Sequence, residues 1–497
     1  MFHIGRRLVS GSHVAENPGV ITVASLQAEE QRRIVAACFA QTGLTLEQLW
    51  LRYFALGGDV SELELEAFLQ GLVPLPRIQR DMVAHAVNER LEEVSGVRQA
   101  PYSRETGENT RPHGPLAALV DLLGSAHRAP PERLPGIIAG AGRALDLEIA
   151  VYLVDQEQRQ LIPLPGGSAP DRVPLAIEAT TAGRAFRHAD TMIAEEPGAP
   201  RLWTVLLDGD ERLGVLEVEA DADIDLNDPA VRTQCRWLAS LSGHLLAGAR
   251  RYGEGFDALL RHQRLGPTAE LLRRNLPPST ASTHDIAVAG GIEPVYDVRG
   301  VTFDYALSEK TAWLAIFDAG REAARAGLAV SAALAASRSA RGEGLGLRGQ
   351  ETAVSEELSA RFGHGTLVRG TLAELNLAAG TLRYLDAGGE PPLILGADHE
   401  QTTVDSAQHP PFGTGLPRRI VTTRLRPGDL LALYTEGLSA VCSADGERFP
   451  LAGCLEAHAG HVPPETVRRV LQAAKTHCRN GFTGDAGLLI ARWPSLP

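Results

Sequence analysis

Cysteine is scarce in this chain, with five in 497 residues: Cys38, Cys235, Cys442, Cys454 and Cys478. They are scattered and odd in number, which excludes a disulfide framework and suits a reducing compartment. No apolar run approaches the roughly 18–20 residues that a membrane-spanning helix needs. The first residues, MFHIGRRLVSGSHVAENPG, also lack the continuous apolar segment of a secretory signal. We therefore expect no membrane span, no signal peptide and a cytoplasmic location. Positive charge is in deficit too, since 48 Lys and Arg face 61 Asp and Glu for a net charge of −13. That balance argues against nucleic acid and against an anionic membrane face as partners.

What is present is ordinary globular protein, 44% hydrophobic and 22% charged. The length exceeds what one core organises, so several domains are expected. Residues 1–24 read as a tail. Residues 25–96 read as a helical domain. Within it Thr45-Leu-Glu-Gln48 and Ser61-Glu-Leu-Glu64 fit the capping box, in which a hydroxyl and an acid or amide satisfy each other's orphan backbone donors. Ile78, Met82, Val83, Ala86, Val87, Leu91 and Val94 form an apolar stripe at helical spacing. Residues 97–114 are polar and rich in Gly, Pro and charge, as a linker is.

Between 115 and 250 the pattern predicts helix, strand, hairpin and helix. Leu147–Asp155 is the strand. Trp203–Leu207 and Leu213–Glu219 form the hairpin across Asp208-Gly-Asp210. This order, with the segment RLGVLEVEAD, resembles a GAF domain. The resemblance implies either a pocket for a small ligand or a dimerisation module. Val231, Leu238, Leu245, Tyr252 and Leu259 recur every seven residues, the spacing of a coiled-coil seam. The seam fits a parallel homodimer stalk, or an amphipathic helix packed on its own domain. Residues 251–265 are read as a connecting helix.

The richest stretch is Glu293–Gly320, EPVYDVRGVTFDYALSEKTAWLAIFDAG. Two strands deliver carboxylates here: the first passes Gly300 before Asp304, and the second, Thr311–Phe317, ends at Asp318. A carboxylate at the end of a buried strand is costly unless it binds something, usually a cation, or opens a turn. Two motifs elsewhere are decoys. Gly344-Leu-Gly-Leu-Arg-Gly349 matches the dinucleotide pattern but follows a helix. Cys454, His458 and His461 have zinc-like spacing without a fourth ligand nearby.

From about 266 to 497 the chain resembles the bacterial PPM-type (protein phosphatase 2C-like) serine/threonine phosphatases of the stage II sporulation protein E class. The segments that carry the resemblance are LRRNLPP at 272–278, YDVRGVTFDYAL at 296–307, LAIFDA at 314–319, AELNLAAGTLRYLDAGGEPPLIL at 373–395, LRPGDLLALYTEGL at 425–438 and GDAGLLIARW at 484–493. The expected fold class is accordingly α+β multidomain: an N-terminal helical bundle, a GAF-like α/β domain and a C-terminal α-β-β-α phosphatase-type sandwich.

The resemblance also implies chemistry. In that family two Mn²⁺ or Mg²⁺ ions lie between two sheets, held by strand-end aspartates, and a metal-bound water attacks phosphoserine. Hard cations of this kind need several oxygen ligands. Matched residue by residue, Val301 stands at the first ligand position and Gly484 at the last. Asp318 is kept, and Glu436 replaces an aspartate with a side chain one methylene longer. Asp304 and Asp485 lie near the site. Arg299 and Arg321 stand beside it, where they would contact a phosphate or an acidic partner, or pair with Asp318 and Glu436.

Two carboxylates cannot neutralise two dications, so the expectation is no metal or one weakly bound Mn²⁺ or Mg²⁺, with Asp318 and Glu436 as its ligands. The implied function is a pseudophosphatase that regulates signalling by binding a protein partner. The family suggests a phosphorylatable anti-sigma-factor antagonist for that role. The alternative is an active Mn- or Mg-dependent protein-serine/threonine phosphatase that acts on a phosphorylated regulator. It would use Asp304, Asp318, Glu436 and Asp485.

Overall fold

The structure, a computed structural model, describes residues 23–94, 114–166, 172–195, 200–221, 224–251, 254–320, 323–363, 365–397, 401–403, 409–478 and 481–493. Arg321, Tyr252 and nearly all of the expected tail and linker lie outside the described residues. The chain divides into two compact units, Met1–Ala117 and Ala118–Pro497.

The first unit holds α1 (Val23–Thr42), α2 (Leu46–Ala55), α3 (Glu62–Leu69) and α4 (Arg77–Val94). Both expected capping boxes form: Thr45 Oγ1 accepts from Gln48 N, Ser61 Oγ accepts from Glu64 N, and each N3 side chain reaches back. Val35, Leu49, Tyr53, Leu65, Phe68, Val83 and Val87 make a common core. Ile78 departs from the expected stripe. It is 67% exposed, because the first turn of α4 presents the neighbouring Gln79 to the core, where Tyr53 Oη donates to it.

The division falls within α5 (Pro115–Ala126), most of which opens the second unit, and α6 (Leu134–Arg143) follows. A sheet follows, built from β1 (Leu147–Val154), β2 (Gln160–Pro163), β3 (Leu175–Ala176), β4 (Met192–Glu195), β5 (Pro200–Asp208) and β6 (Glu211–Ala220). Its order is β3-β2-β1-β6-β5-β4, with antiparallel neighbours. The inserted helix α7 (Thr181–His188) covers one face, packed on Tyr152, Trp203 and Val215. On that face the buried Glu217 carboxylate accepts from Tyr152 Oη at 3.1 Å and pairs with Arg172 and Arg201, so ion pairs close it.

The opposite face carries α5, α6 and α8 (Pro229–Arg250) over a core of Ile138, Ile149, Val151, Leu216, Leu238 and Leu246. The seven-residue seam does not become a continuous stalk. Leu238 is buried in its own domain and α8 ends at Arg250. Nor do residues 254–265 form the expected connecting helix. They run in turns, because Phe256 and Leu260 fold back onto the same core and Gln156 N donates to Leu260 O at 3.1 Å.

The C-terminal region stacks two antiparallel sheets between helices. After α9 (Pro267–Asn275) come β7 (Thr280–Ser282), β8 (Ala287–Glu293), β9 (Val301–Leu307) and β10 (Thr311–Asp318). The helices α10 (Ala323–Gly342) and α11 (Leu347–Phe362) lead to β11 (Arg369–Asn376), β12 (Thr381–Asp386), β13 (Leu393–Leu395), β14 (Gln401–Thr403), β15 (Ile420–Arg424) and β16 (Asp429–Tyr434). The short α12 (Glu436–Ser439), then α13 (Leu451–His458), α14 (Pro463–His477) and β17 (Ala486–Trp493) complete the order.

One sheet runs β15-β12-β11-β10-β9 and the other β14-β13-β16-β17-β8-β7. Phe303, Leu314, Ile316, Leu431, Leu433 and Leu489 fill the space between them. The helices α9, α10 and α11 cover the outer face of the first sheet, and α13 and α14 that of the second. Gly344 turns α10 into α11 at φ +78, so the GxGxxG match follows one helix and runs into the next, and does not follow a strand.

Candidate functional site

Strand alternation decides which way the strand-end carboxylates point. Leu314 and Ile316 face the opposite sheet, so Asp318, in phase with them, faces the cleft between the sheets. The ladder sets Val301 and Arg369 abreast of Asp318 on its two sides. From the facing sheet come Thr435 at the end of β16, Glu436 opening α12, and Asp485 just before β17. Thr435 knits these ends together. Its hydroxyl donates to Asp485 O at 2.8 Å and accepts from Gly487 N at 2.9 Å.

Each expected site residue can now be placed. Asp318 Oδ1 accepts from Gly320 N at 2.8 Å. Burial pushes its pKa up, opposed by that N–H and by Arg369, while Asp485 and Glu436 push the same way as burial. Glu436 pairs with Arg369. Val301 is 1% exposed, and a Cβ built on Gly487 would come within 2.8 Å of its Cγ1 and 3.3 Å of Ile316 Cδ1. The cleft floor at this ligand position is therefore closed by packed hydrocarbon. At Gly484 a Cβ would meet only Gly437 Cα, at 3.5 Å, so the position has room but no donor.

Three expectations need correcting. Asp304 is not beside the cleft. It lies further along β9, opposite Ala315, is 2% exposed, and takes ion pairs from Arg338 at 2.7 Å and Arg341 at 2.9 Å. Its alternation phase turns it toward α10. Asp485 does come to the site, but its Oδ2 accepts the backbone N–H groups of Arg299 at 2.7 Å and Gly300 at 2.8 Å. The Arg299 guanidinium pairs with neither Asp318 nor Glu436. It turns back to Asp297 at 2.6 Å, because its backbone is committed to Asp485.

The strand ends enclose a cavity of about 360 Å³ whose walls include Asp318, Arg369, Asp386, Glu390, Tyr434 and Glu436. Four of these, Arg369, Asp386, Glu390 and Tyr434, were not anticipated as site groups. Asp386 closes β12 as Asp318 closes β10, so the strand-then-carboxylate signature was available in YLDAGG. Burial raises its pKa to about 6, with the Gly389 N–H at 2.8 Å opposing. Glu390 accepts from Ser439 Oγ at 2.8 Å. Arg369 had no local signal, since it reaches Asp318 only through pairing across the whole α10–α11 insert.

Residues 308–494 match the family model described as Stage II sporulation protein E (SpoIIE). This region belongs to that family. It is a PPM-type phosphatase domain, and the rest of the chain lies outside the match.

Among solved structures, the RsbU and RsbW domains of a Mycobacterium tuberculosis protein are 20% identical, with 43% of this chain and 61% of that one covered and a TM-score of 0.38. The phosphatase domain and regulatory fragment of SpoIIE from Bacillus subtilis are 18% identical over 44% of this chain and 66% of that one, TM-score 0.38. The SiaA-PP2C domain of Pseudomonas aeruginosa is 18% identical over 50% of this chain and 99% of that one, TM-score 0.40. The chain thus spans less than two thirds of the first two. No curated protein sequence matches it.

The family implies two divalent cations at this cleft, and the donor set does not fit them. Val301 offers no oxygen, Asp485 Oδ2 is engaged by two backbone donors and Glu436 Oε2 by a guanidinium. Among the described residues no three His, Cys, Asp or Glu side chains gather closely enough to hold an ion, Cys454, His458 and His461 included. Among the described residues, too, no helix is long and apolar enough to cross a membrane.

Proposed function

We propose that the chain is a signalling regulator whose PPM-type domain is a pseudophosphatase, acting by holding a protein partner and not by hydrolysis. One observation carries this reading. One oxygen of Asp485, Oδ2, accepts two backbone N–H groups beside an apolar Val301, so the oxygens left for a dimetal site are fewer than two dications need. The shifted set that an active enzyme would use is weakened further, since Asp304 is locked between Arg338 and Arg341. Arg369 supplies, as a guanidinium, part of the positive charge that ions would bring.

The pocket's charge also suggests what it takes. Asp318, Asp386, Glu390 and Glu436 surround a single paired arginine. A bare phosphoserine brought there meets like charge, whereas the unphosphorylated partner, or one presenting a lysine, does not. A phosphorylatable anti-sigma-factor antagonist in its unphosphorylated form fits that description. The six-stranded domain upstream, which we read as GAF-like, would set the state in which this face is offered.

The test is phosphate release from an aryl phosphate and a phosphoserine peptide, with and without millimolar Mn²⁺, alongside calorimetric titration of Mn²⁺. We expect no release above the Asp318→Ala background and at most one weak Mn²⁺ site. Metal-dependent turnover that disappears in Asp318→Ala overturns the proposal.

A further inference from the structure

A second cavity of the second unit lies away from the strand ends. It lies where the upstream β1–β6 sheet meets the C-terminal region, encloses about 660 Å³, and falls within the size range of small-molecule sites. Its apolar walls include Leu272, Leu276, Val298, Phe303, Val467 and Leu471, from α9, β9, α14 and the segment before β9. The other wall comes from the β1–β6 sheet, its loops and α7, through Arg159, Glu178, Phe186 and Arg212. Neither half encloses this space alone.

The polar groups around it are not equivalent. Arg468 is spent on Glu465 at 2.8 Å and Glu178 at 2.6 Å, and Arg273 on Asp257 at 2.8 Å. Arg159 stands 3.8 Å from Glu157. Arg212 differs: it donates to the Arg187 carbonyl at 2.6 Å and, among the described residues, has no carboxylate within ion-pair distance. Glu465 and Asp210 act on this guanidinium only from beyond ion-pair distance, so its burial is incompletely compensated, and an anion placed against it would offset that cost.

We propose that this junction cavity binds an amphipathic small-molecule anion, its apolar body against Leu272, Leu276 and Leu471 and its anionic group on Arg212.

The placement gives such a ligand a mechanical role. The two halves are already tied across the cavity rim by Arg187–Glu465 at 3.8 Å, Arg468–Glu178 at 2.6 Å and Lys475–Glu157 at 3.6 Å, all three using α14. Val298 and Phe303 of the cavity wall bracket the Arg299–Val301 segment that Asp485 holds at the cleft. A bound molecule would therefore brace the β1–β6 sheet, α14 and the start of β9 as one body. The inference stands apart from whether the cleft is catalytic.

The full chain would be titrated with anilinonaphthalene sulfonate, an aromatic anion, and with its uncharged counterpart phenylnaphthylamine, following fluorescence. We expect one saturable sulfonate site per chain. Loss of a charged hydrogen bond predicts that Arg212→Gln weakens the sulfonate about tenfold or more and phenylnaphthylamine by less than about twofold. Arg212→Lys should keep most of the affinity, and Leu276→Trp, which fills the cavity, should weaken both probes. Thermal unfolding of each variant checks that it is folded. If Leu276→Trp does not fold, the Gln and Lys pair decides alone. The proposal is overturned if Arg212→Gln changes both probes equally or neither, or if a folded Leu276→Trp binds both as before.

Discussion

Asp485 accepts the backbone N–H of Gly300 at 2.8 Å across 185 positions of sequence, and that of Arg299 at 2.7 Å beside it. A carboxylate used in this way is a clasp between the start of β17 and the start of β9. Asp485→Ala leaves two N–H groups without an acceptor and should cost about 1–3 kcal/mol in urea denaturation. Asp485→Asn keeps an oxygen and should cost about half as much. Were Asp485 a metal ligand instead, both variants would shift Mn²⁺ affinity and leave the urea midpoint nearly in place.

Asp304 makes the same distinction more sharply. Its carboxylate is buried and bridges Arg338 and Arg341 of α10. Removing one member of a buried ionic group strands the others, so Asp304→Ala should destabilise by roughly 3–5 kcal/mol. Partner binding and any Mn²⁺ response of the folded fraction should not change. A well-folded Asp304→Ala protein with altered metal affinity would return this residue to the site.

These two aspartates show where sequence reading stopped. The strands β9 and β10, the helical insert and both capping boxes were legible, because alternation, helical spacing and cap chemistry are local. So was the apolar Val301, by comparison with the family. The partner of each carboxylate was not. Asp304 and Asp318 both lie in strand segments ending in polar turns, but their alternation phases send one to α10 and the other to the cleft. Arg369 belongs to the site only through a ladder closed over α10 and α11. The seven-residue seam failed for a related reason: its spacing is shared by a stalk and by a helix packed on its own sheet, and burial of Leu238 decides for the second.

If the missing oxygens account for the cleft, restoring them should restore metal binding. Gly484 has space for a side chain, and Asp is close to Val in size at position 301. The double variant Val301→Asp, Gly484→Asp should bind Mn²⁺ at least about tenfold more tightly than the natural chain, since ligand loss is worth that much or more. Without metal it should be less stable by about 2–4 kcal/mol, the cost of burying charge on the cleft floor. Adding Arg369→Gln, which frees Glu436, should strengthen Mn²⁺ binding again. Arg369→Gln alone should change stability by less than about 1 kcal/mol, because both partners of that pair are half exposed. Calorimetry of the three proteins checks the order.

Asp386 predicts a pH dependence. Burial raises its folded pKa from 3.8 to about 6. A raised carboxyl pKa means that the folded state prefers the protonated form. Its contribution to stability is therefore complete below about pH 4 and is lost as pH rises through about 6. Asp386→Asn keeps the oxygen that accepts Gly389 N–H and removes the titration. Relative to the natural chain, the variant should gain stability steadily between about pH 4 and 6. It should then hold an advantage of about 2–3 kcal/mol at most above pH 7. Urea midpoints at several pH values measure the gap, and a gap that stays flat from pH 5 to 7.5 would show that the Asp386 carboxyl titrates normally in the folded protein.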